Sequence, residues 1–341
     1  MISRALGTTG LIVKAVGFGG IPIQRVEQDE VNAIIEAMIE TGINFIDTAR
    51  GYTVSESFIG NALCDGKRSN FVIATKSPAK DYEQMKADIE TSLKNLKTDY
   101  IDLYQCHLVK EMDQYRQILS ESGAYKALVE AKAAGKIRHI GITSHSVDLL
   151  NEVIDDMPFE TIQFPYNIIE RQAEELFKRA SQRGIGVIVM KPLAGGALEN
   201  GELSLKFILN NPNVSVVIPG MDKVTQVYEN SNVAKMDLTL TDSEKEEIEN
   251  IRTTLGETFC RRCGYCLPCV QGIDIPTQFI LEGYLTRYNI KTWAIDRYFS
   301  MDIKSTDCIE CGECEPRCPY DLPIRKMLRN VTDQFEVHKN V

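Results

Sequence analysis

The stretch Asn44 to Tyr52, NFIDTARGY, sets an acid and a phenol where a catalytic loop would leave a buried strand. An apolar β-type run ends at Asp47, and Tyr52 follows across a Thr-Ala-Arg-Gly turn. A phenol, with an ordinary pKa of about 10, exchanges protons poorly at neutral pH unless a neighbouring ammonium stabilises the phenolate. Two further β-type runs end in suitable partners, FVIATK at Lys76 and YIDLYQCH at His107. If these strands are parallel neighbours, the four side chains converge at one end of the sheet. Lys76 then eases proton release from Tyr52, Asp47 keeps the lysine charged and placed, and a neutral His107 orients a carbonyl oxygen. A polar network serving only the strand ends is the alternative reading.

Cysteines supply a second chemistry. Of ten, Cys64 and Cys106 stand alone and are expected to be small buried hydrophobes; the other eight crowd in after residue 259. Cys308-x2-Cys311-x2-Cys314-x3-Cys318-Pro319 has the spacing with which ferredoxin thiolates hold a 4Fe-4S cluster, the fourth cysteine commonly serving the partner cluster. Cys260-x2-Cys263-x2-Cys266-x2-Cys269 is a shortened version, so eight ligands suit two clusters. A crossed assignment, with Cys318 joining the first group and Cys269 the second, is preferred, and the uncrossed one stays open. Zinc, usually held by two pairs of ligands on separated knuckles, is the metal alternative. The start MISRALGTTG lacks a signal-peptide apolar core, so such crowding reads as metal binding rather than disulfides, and a cytoplasmic protein is expected.

The elements that must position these groups alternate. Candidate strands begin near Val16, Asn44, Phe71, Tyr100, Ile137, Thr161, Ile185 and Val214, with apolar residues at i, i+3 and i+4 between them. Val31, Ile34, Ile35, Met38 and Ile39 show the helical spacing, which ends at Thr41-Gly42. Eight such units predict an α/β fold, a (β/α)8 TIM barrel, more readily than a doubly wound sheet, and SRALGTTGLIVKAVGFGG predicts a hairpin plugging its bottom. A charged helix after Thr241 closes the barrel, giving domains of 1–256 and 257–341. The second is expected to be small and helical, with Pro276 to Phe299 as helix and little or no sheet. The chain carries 27 Lys+Arg against 37 Asp+Glu up to residue 258, and 11 against 11 beyond. An acidic barrel without a basic stripe argues against nucleic acid or an anionic membrane as partner, and no apolar run approaches the roughly 20 residues of a membrane span.

DTARGY, the ATK ending at Lys76 and the QCH ending at His107 resemble the Asp-Tyr-Lys-His tetrad of the aldo-keto reductases, in that family's order. GITSHS (141–146), QFPYN (163–167), MKPLAGG (190–196) and VVIPGM (216–221) resemble its nicotinamide-cofactor segments, so the likeness runs from about Leu6 to Leu255. It implies Tyr52 as general acid, Lys76 as its pKa-lowering partner, Asp47 as the lysine's counter-ion and His107 as the carbonyl-orienting group. It further implies that Ser144 and Gln163 hold the nicotinamide carboxamide. Met190, Lys191, Leu193 and Gly195 would follow along the cofactor, and Lys223, Gln226, Glu229 and Asn230 would meet its adenosine end. Two features depart from the pattern. Met190 stands where many members stack an aromatic on the nicotinamide, a softer surface, and Gly220 and Gln226 stand where NADP-preferring members carry cations.

The whole chain resembles the branch of that family with a C-terminal 4Fe-4S ferredoxin-like domain. The resemblance implies NAD(P)H-dependent reduction of a small aldehyde or ketone, or the reverse alcohol oxidation, with two 4Fe-4S clusters for electron transfer. A ferredoxin-like or flavoprotein partner would serve the clusters, and a loosely held nicotinamide site could accept a flavin. The alternative is an electron-transfer or regulatory nucleotide-binding protein with little carbonyl turnover.

Overall fold

An antiparallel hairpin opens the chain, β1 (Ser3–Ala5) against β2 (Ile12–Lys14), with Ser3 opposite Lys14. Eight parallel strands follow: β3 (Phe18–Gly19), β4 (Phe45–Asp47), β5 (Val72–Ser77), β6 (Ile101–Cys106), β7 (Ile137–Thr143), β8 (Thr161–Pro165), β9 (Gly186–Met190) and β10 (Val216–Val217). They are hydrogen-bonded in chain order, and bridges Val16–Val217 and Gly19–Gly220 bring the first back to the last. The result is the expected TIM barrel, nearly closed. Each strand starts within a residue or two of its apolar run, because strands buried on both faces must be largely apolar; β6 is buried at every position. Leu6 and Val13 pack in one cluster with Phe45, Ala74, Leu103, Ile188 and Val216, so the hairpin plugs one end of the barrel.

The computed structural model describes residues 1–287 and 290–339. One compact unit comprises Met1–Asn167, Arg171–Pro192 and Asn200–Leu240, and a second comprises Ile168–Glu170, Leu193–Glu199 and Thr241–Val341.

Helices α1 (Gln28–Thr41), α2 (Ser55–Ala62), α3 (Tyr82–Leu96), α4 (Met112–Leu119), α5 (Ala124–Ala133), α6 (Val147–Val153), α7 (Glu174–Gln182), α8 (Gly201–Leu209) and α9 (Val224–Val233) belong to the first unit. The first of these shows why they form. Glu30 caps the start of α1 by accepting the Glu27 N–H at 2.7 Å, and Gly42, at φ 81°, takes the left-handed turn that ends it. Between them Val31, Ile34, Ile35 and Met38 are buried, each contributing about 1.5–3 kcal/mol by leaving water.

The second unit holds α10 (Asp242–Gly256), α11 (Ile275–Thr286), α12 (Lys291–Phe299) and α13 (Ile324–Glu336), with no strand among its described residues. The helical stretch expected from Pro276 to Phe299 is observed as α11 and α12; Tyr288 and Asn289, inside it, lie outside the described residues. Thr241 caps α10 reciprocally with Glu244. Tyr298 and Phe335 stack at 4.0 Å in a core with Phe279, Leu281, Leu285, Leu328 and Val331.

One lone cysteine departs from expectation. Cys106 is fully buried on β6, but Cys64 is exposed, because it falls in the turn just beyond α2 rather than on the helix's inner face.

Candidate functional site

Asp47 ends β4 and Lys76 sits near the end of its neighbour β5; they are 2% and 1% exposed. Lys76 Nζ donates to Asp47 Oδ2 at 2.5 Å and to the Thr48 carbonyl at 2.8 Å. Gln105 Nε2, from β6, reaches Asp47 Oδ1 at 3.4 Å, and Gln163 Nε2, from β8, lies 3.5 Å from Oδ2. Gly141 on β7 makes this crossing feasible: a Cβ there would stand 2.2 Å from Thr161 Oγ1 and 3.0 Å from Gln105 Cγ. Burial disfavours both charges, pushing Asp47 up against the pull of Lys76 and Lys76 down against the pull of Asp47.

Tyr52 is half-buried, with Lys76 Nζ 5.0 Å from the centre of its ring. Its turn is fastened by backbone bonds, Arg50 N–H to the Lys76 carbonyl at 2.9 Å and Ser55 N–H to the Tyr52 carbonyl at 2.7 Å. His107 follows β6 and meets Tyr52 edge to face, the ring centres 6.1 Å apart. Burial, then the Lys76 and Lys80 ammonium groups, hold the imidazole down to about 3, so it is neutral at physiological pH. All four expected side chains therefore meet at the carboxyl ends of adjacent strands. Phenol beside ammonium, with a neutral imidazole across from it, can pass a proton to a carbonyl oxygen and orient it.

Ser144 is buried after β7; its hydroxyl donates to the Val109 carbonyl at 2.7 Å and accepts the Ser146 N–H at 2.9 Å. Gln163 Oε1 and Gln105 Oε1 are buried acceptors without a partner among the described residues. An amide N–H, such as that of a nicotinamide carboxamide, would satisfy one of them. Met190 ends β9, half-buried, and Lys191 follows in a left-handed turn at φ 57°. The Lys191 carbonyl accepts from Asn167 Nδ2 at 3.0 Å. Asn167 is fully buried and was not foreseen, although QFPYN contains it. Leu193 and Gly195 fall in the second compact unit. Lys223 precedes α9, and Gln226 Oε1 accepts the Asp222 and Lys223 N–H groups at 2.8 and 3.1 Å, so the residue standing at a cation position caps its own helix. Glu229 is exposed and Asn230 half-buried further along that helix.

The eight clustered cysteines are all unbridged thiols. Their two loops share one backbone pattern. Positive φ occurs at the second and fourth residues after the leading cysteine in both, Arg262 (60°) and Gly264 (85°) after Cys260, Glu310 (55°) and Gly312 (81°) after Cys308. Three residues past the fourth cysteine it recurs, at Gly272 and Asp321, whose N–H groups bond back to the Cys269 and Cys318 carbonyls at 2.9 and 3.2 Å. A helix then begins, α11 or α13. Such curls turn successive N–H groups toward an enclosed anion, as the Arg262 N–H already turns to Cys260 Sγ at 3.4 Å. Cys269 lines one cavity with Cys266, Cys308, Cys311 and Cys314, while Cys260 lies within electrostatic reach of Cys263 and Cys318. Buried Glu170 forms an ion pair with Arg262 beside this loop. Among the described residues, no three His, Cys, Asp or Glu side chains converge on a single metal ion.

The aldo/keto reductase family model matches residues 15–204, and the 4Fe-4S dicluster domain model matches 259–323, which contains all eight cysteines. L-galactose dehydrogenase of Arabidopsis thaliana is 33% identical over 277 residues, covering 67% of this chain and 86% of that protein. Aldo-keto reductase YhdN of Bacillus subtilis is 35% identical over 190 residues, half of this chain and 55% of that one. Among solved structures, the holo form of an aldo-keto reductase from Bacillus halodurans superposes with a TM-score of 0.62 at 28% identity, covering 74% of this chain and 96% of the other. No helix among the described residues is long and apolar enough to cross a membrane. With tetrad-type residues on the barrel and paired cysteine loops after it, the chain belongs to the aldo-keto reductase family, an oxidoreductase with a C-terminal 4Fe-4S dicluster domain.

Proposed function

We propose that the barrel interconverts a small carbonyl compound and its alcohol with NADH or NADPH, and that the second unit holds two 4Fe-4S clusters. The observation carrying the first part is the buried Asp47–Lys76 pair beside Tyr52. In reduction Tyr52 gives its phenolic proton to the substrate oxygen, and in oxidation it takes one back. Lys76 stabilises the phenolate that remains, Asp47 holds Lys76 in place, and neutral His107 hydrogen-bonds the same oxygen. Ser144, Gln163, Asn167 and Met190 would hold a nicotinamide, with Lys191 along the cofactor and Lys223, Gln226, Glu229 and Asn230 at its adenosine end. Bound there, that group supplies or accepts the hydride.

In the second unit the cavity that Cys269 shares with Cys308, Cys311 and Cys314, and the nearness of Cys318 to Cys260, support a crossed assignment: Cys260, Cys263 and Cys266 with Cys318, and Cys308, Cys311 and Cys314 with Cys269. Clusters in these sets would pass electrons singly, whereas a hydride carries two. The natural partner is therefore an external one-electron carrier, ferredoxin-like or flavoprotein, and exchange with the nicotinamide would need a flavin or similar two-to-one converter. Eight unbridged thiols suit a reducing compartment such as the cytoplasm.

Anaerobically purified protein tests both halves at once. It should contain about eight iron and eight sulfide per chain, oxidise NADH or NADPH with aldehydes, ketones or sugars, and show no reduced-cluster paramagnetic signal when nucleotide alone is added. Stoichiometric zinc without sulfide would remove the cluster reading. A prompt cluster signal without flavin would show that the two chemistries communicate directly.

A further inference from the structure

Glu56 has no part in the proton transfer just described. It lies in the first turn of α2, 1% exposed, in a chain position where an acid usually faces solvent. Its carboxylate accepts from Thr75 Oγ1 at 2.8 Å, Ser92 Oγ at 2.8 Å and Asn95 Nδ2 at 3.3 Å, and forms an ion pair with Arg50. These partners come from β5, from α3 and from the turn that carries Tyr52. Charge-assisted bonds on both oxygens are what make a buried carboxylate tolerable.

Its attachments give it a direction. Thr75 is the chain neighbour of Lys76, the Arg50 N–H bonds the Lys76 carbonyl, and Tyr52 stands two residues beyond Arg50. Glu56 thus fastens the turn bearing the phenol to the strand bearing the ammonium. Resting on Tyr52 as proton donor, we propose that Glu56 is a positioning residue for the Tyr52–Lys76 pair, acting through Arg50 and Thr75 and setting a second, partly buried charge pair behind the first.

The charges facing this group come from several elements. Glu56 sees Arg50 from the turn, Lys76 from β5 and Tyr104 from β6, with Asp88 of α3 3.9 Å from Arg50; Lys76 sees Asp47 and then Glu56; Tyr52 faces Lys76 and His107. Removing the negative charge lets Tyr52 and Lys76 lose protons more readily, and removing the positive charge of Arg50 does the reverse. Reduction requires protonated Tyr52, so its rate falls as pH rises through that group's pKa.

The test is the pH dependence of kcat for carbonyl reduction at saturating nucleotide in Glu56→Gln and Arg50→Gln. The basic limb should move by about one pH unit to lower pH in the first and to higher pH in the second, with kcat at its plateau down about tenfold in each. Limbs that stay in place, or move the same way, overturn the proposal whatever happens to kcat. If Glu56→Gln does not fold, Arg50→Gln decides alone, since the Arg50 side chain is 22% exposed and less costly to change. Tyr52→Phe is measured in parallel: turnover and limb both retained there would mean the limb is not Tyr52's, and the Tyr52 assignment and the role of Glu56 would fall together.

Discussion

In the barrel, the reactive side chains stand on or just past paired strands, and each is held by protein atoms: Asp47 and Lys76 by each other, the Tyr52 turn by backbone bonds to β5, His107 by the strand it follows. In the second unit, eight thiols stand on irregular loops between short helices, none bonded to another, with backbone curls at Arg262 and Glu310 that ordinary side chains disfavour. Proton chemistry needs a dry, preorganised site, which a packed parallel sheet provides before anything binds. Ligand loops can leave part of their folding energy to what they bind.

Removing iron and sulfide should therefore act very unequally. Hydrogen-exchange protection of α11, α12 and α13 should be lost while β4 to β9 keep theirs, because so small a core is marginal without its inorganic groups. Equal retention in both units would break the comparison. Cys314→Ser sharpens it: iron should fall from about eight to about four per chain.

The converse applies to Lys76→Met, which leaves Asp47 buried without its cation. Breaking a buried pair from one side costs about 3–5 kcal/mol, so the urea midpoint of the barrel should drop accordingly while iron content holds. Adding Asp47→Asn should recover part of that loss. A Lys76→Met protein as stable as the parent would show that the pair does not hold the strand ends.

His107 should give the narrowest effect, confined to acid and near zero at neutral pH. Its folded-state pKa of about 3 lies below the ordinary 6.5, so between those values the unfolded chain takes a proton that the fold refuses. Its contribution is fully present above pH 6.5 and is lost as pH falls toward 3. His107→Gln should flatten the decline of the urea midpoint over that window, and an unchanged slope would remove the burial argument.

The barrel was legible because its requirements repeat: its strands are largely buried on both faces, and helices such as α1 show one apolar stripe, Val31, Ile34, Ile35 and Met38. Asp47, Lys76 and His107 were legible because polar residues ending apolar runs are conspicuous. Gln105 was not, since a glutamine inside a run gains meaning only from Asp47, far away in the chain, and from the missing side chain of Gly141. Glu56 looks like any acid in a helix's first turn until Ser92 and Thr75 close over it. Cys64 was misplaced because its exposure depends on where α2 stops, the least certain feature of a helical pattern. The shared curl of the cysteine loops, finally, lies in backbone angles that spacing alone does not express.

The central claim is that carbonyl chemistry runs on the barrel through Tyr52, and deleting one hydroxyl tests it most directly. Steady-state carbonyl reduction by Tyr52→Phe, at matched iron content and nucleotide saturation, should show kcat lower by about 10²- to 10⁴-fold with nucleotide affinity retained. A kcat equal to that of the parent protein would contradict the account.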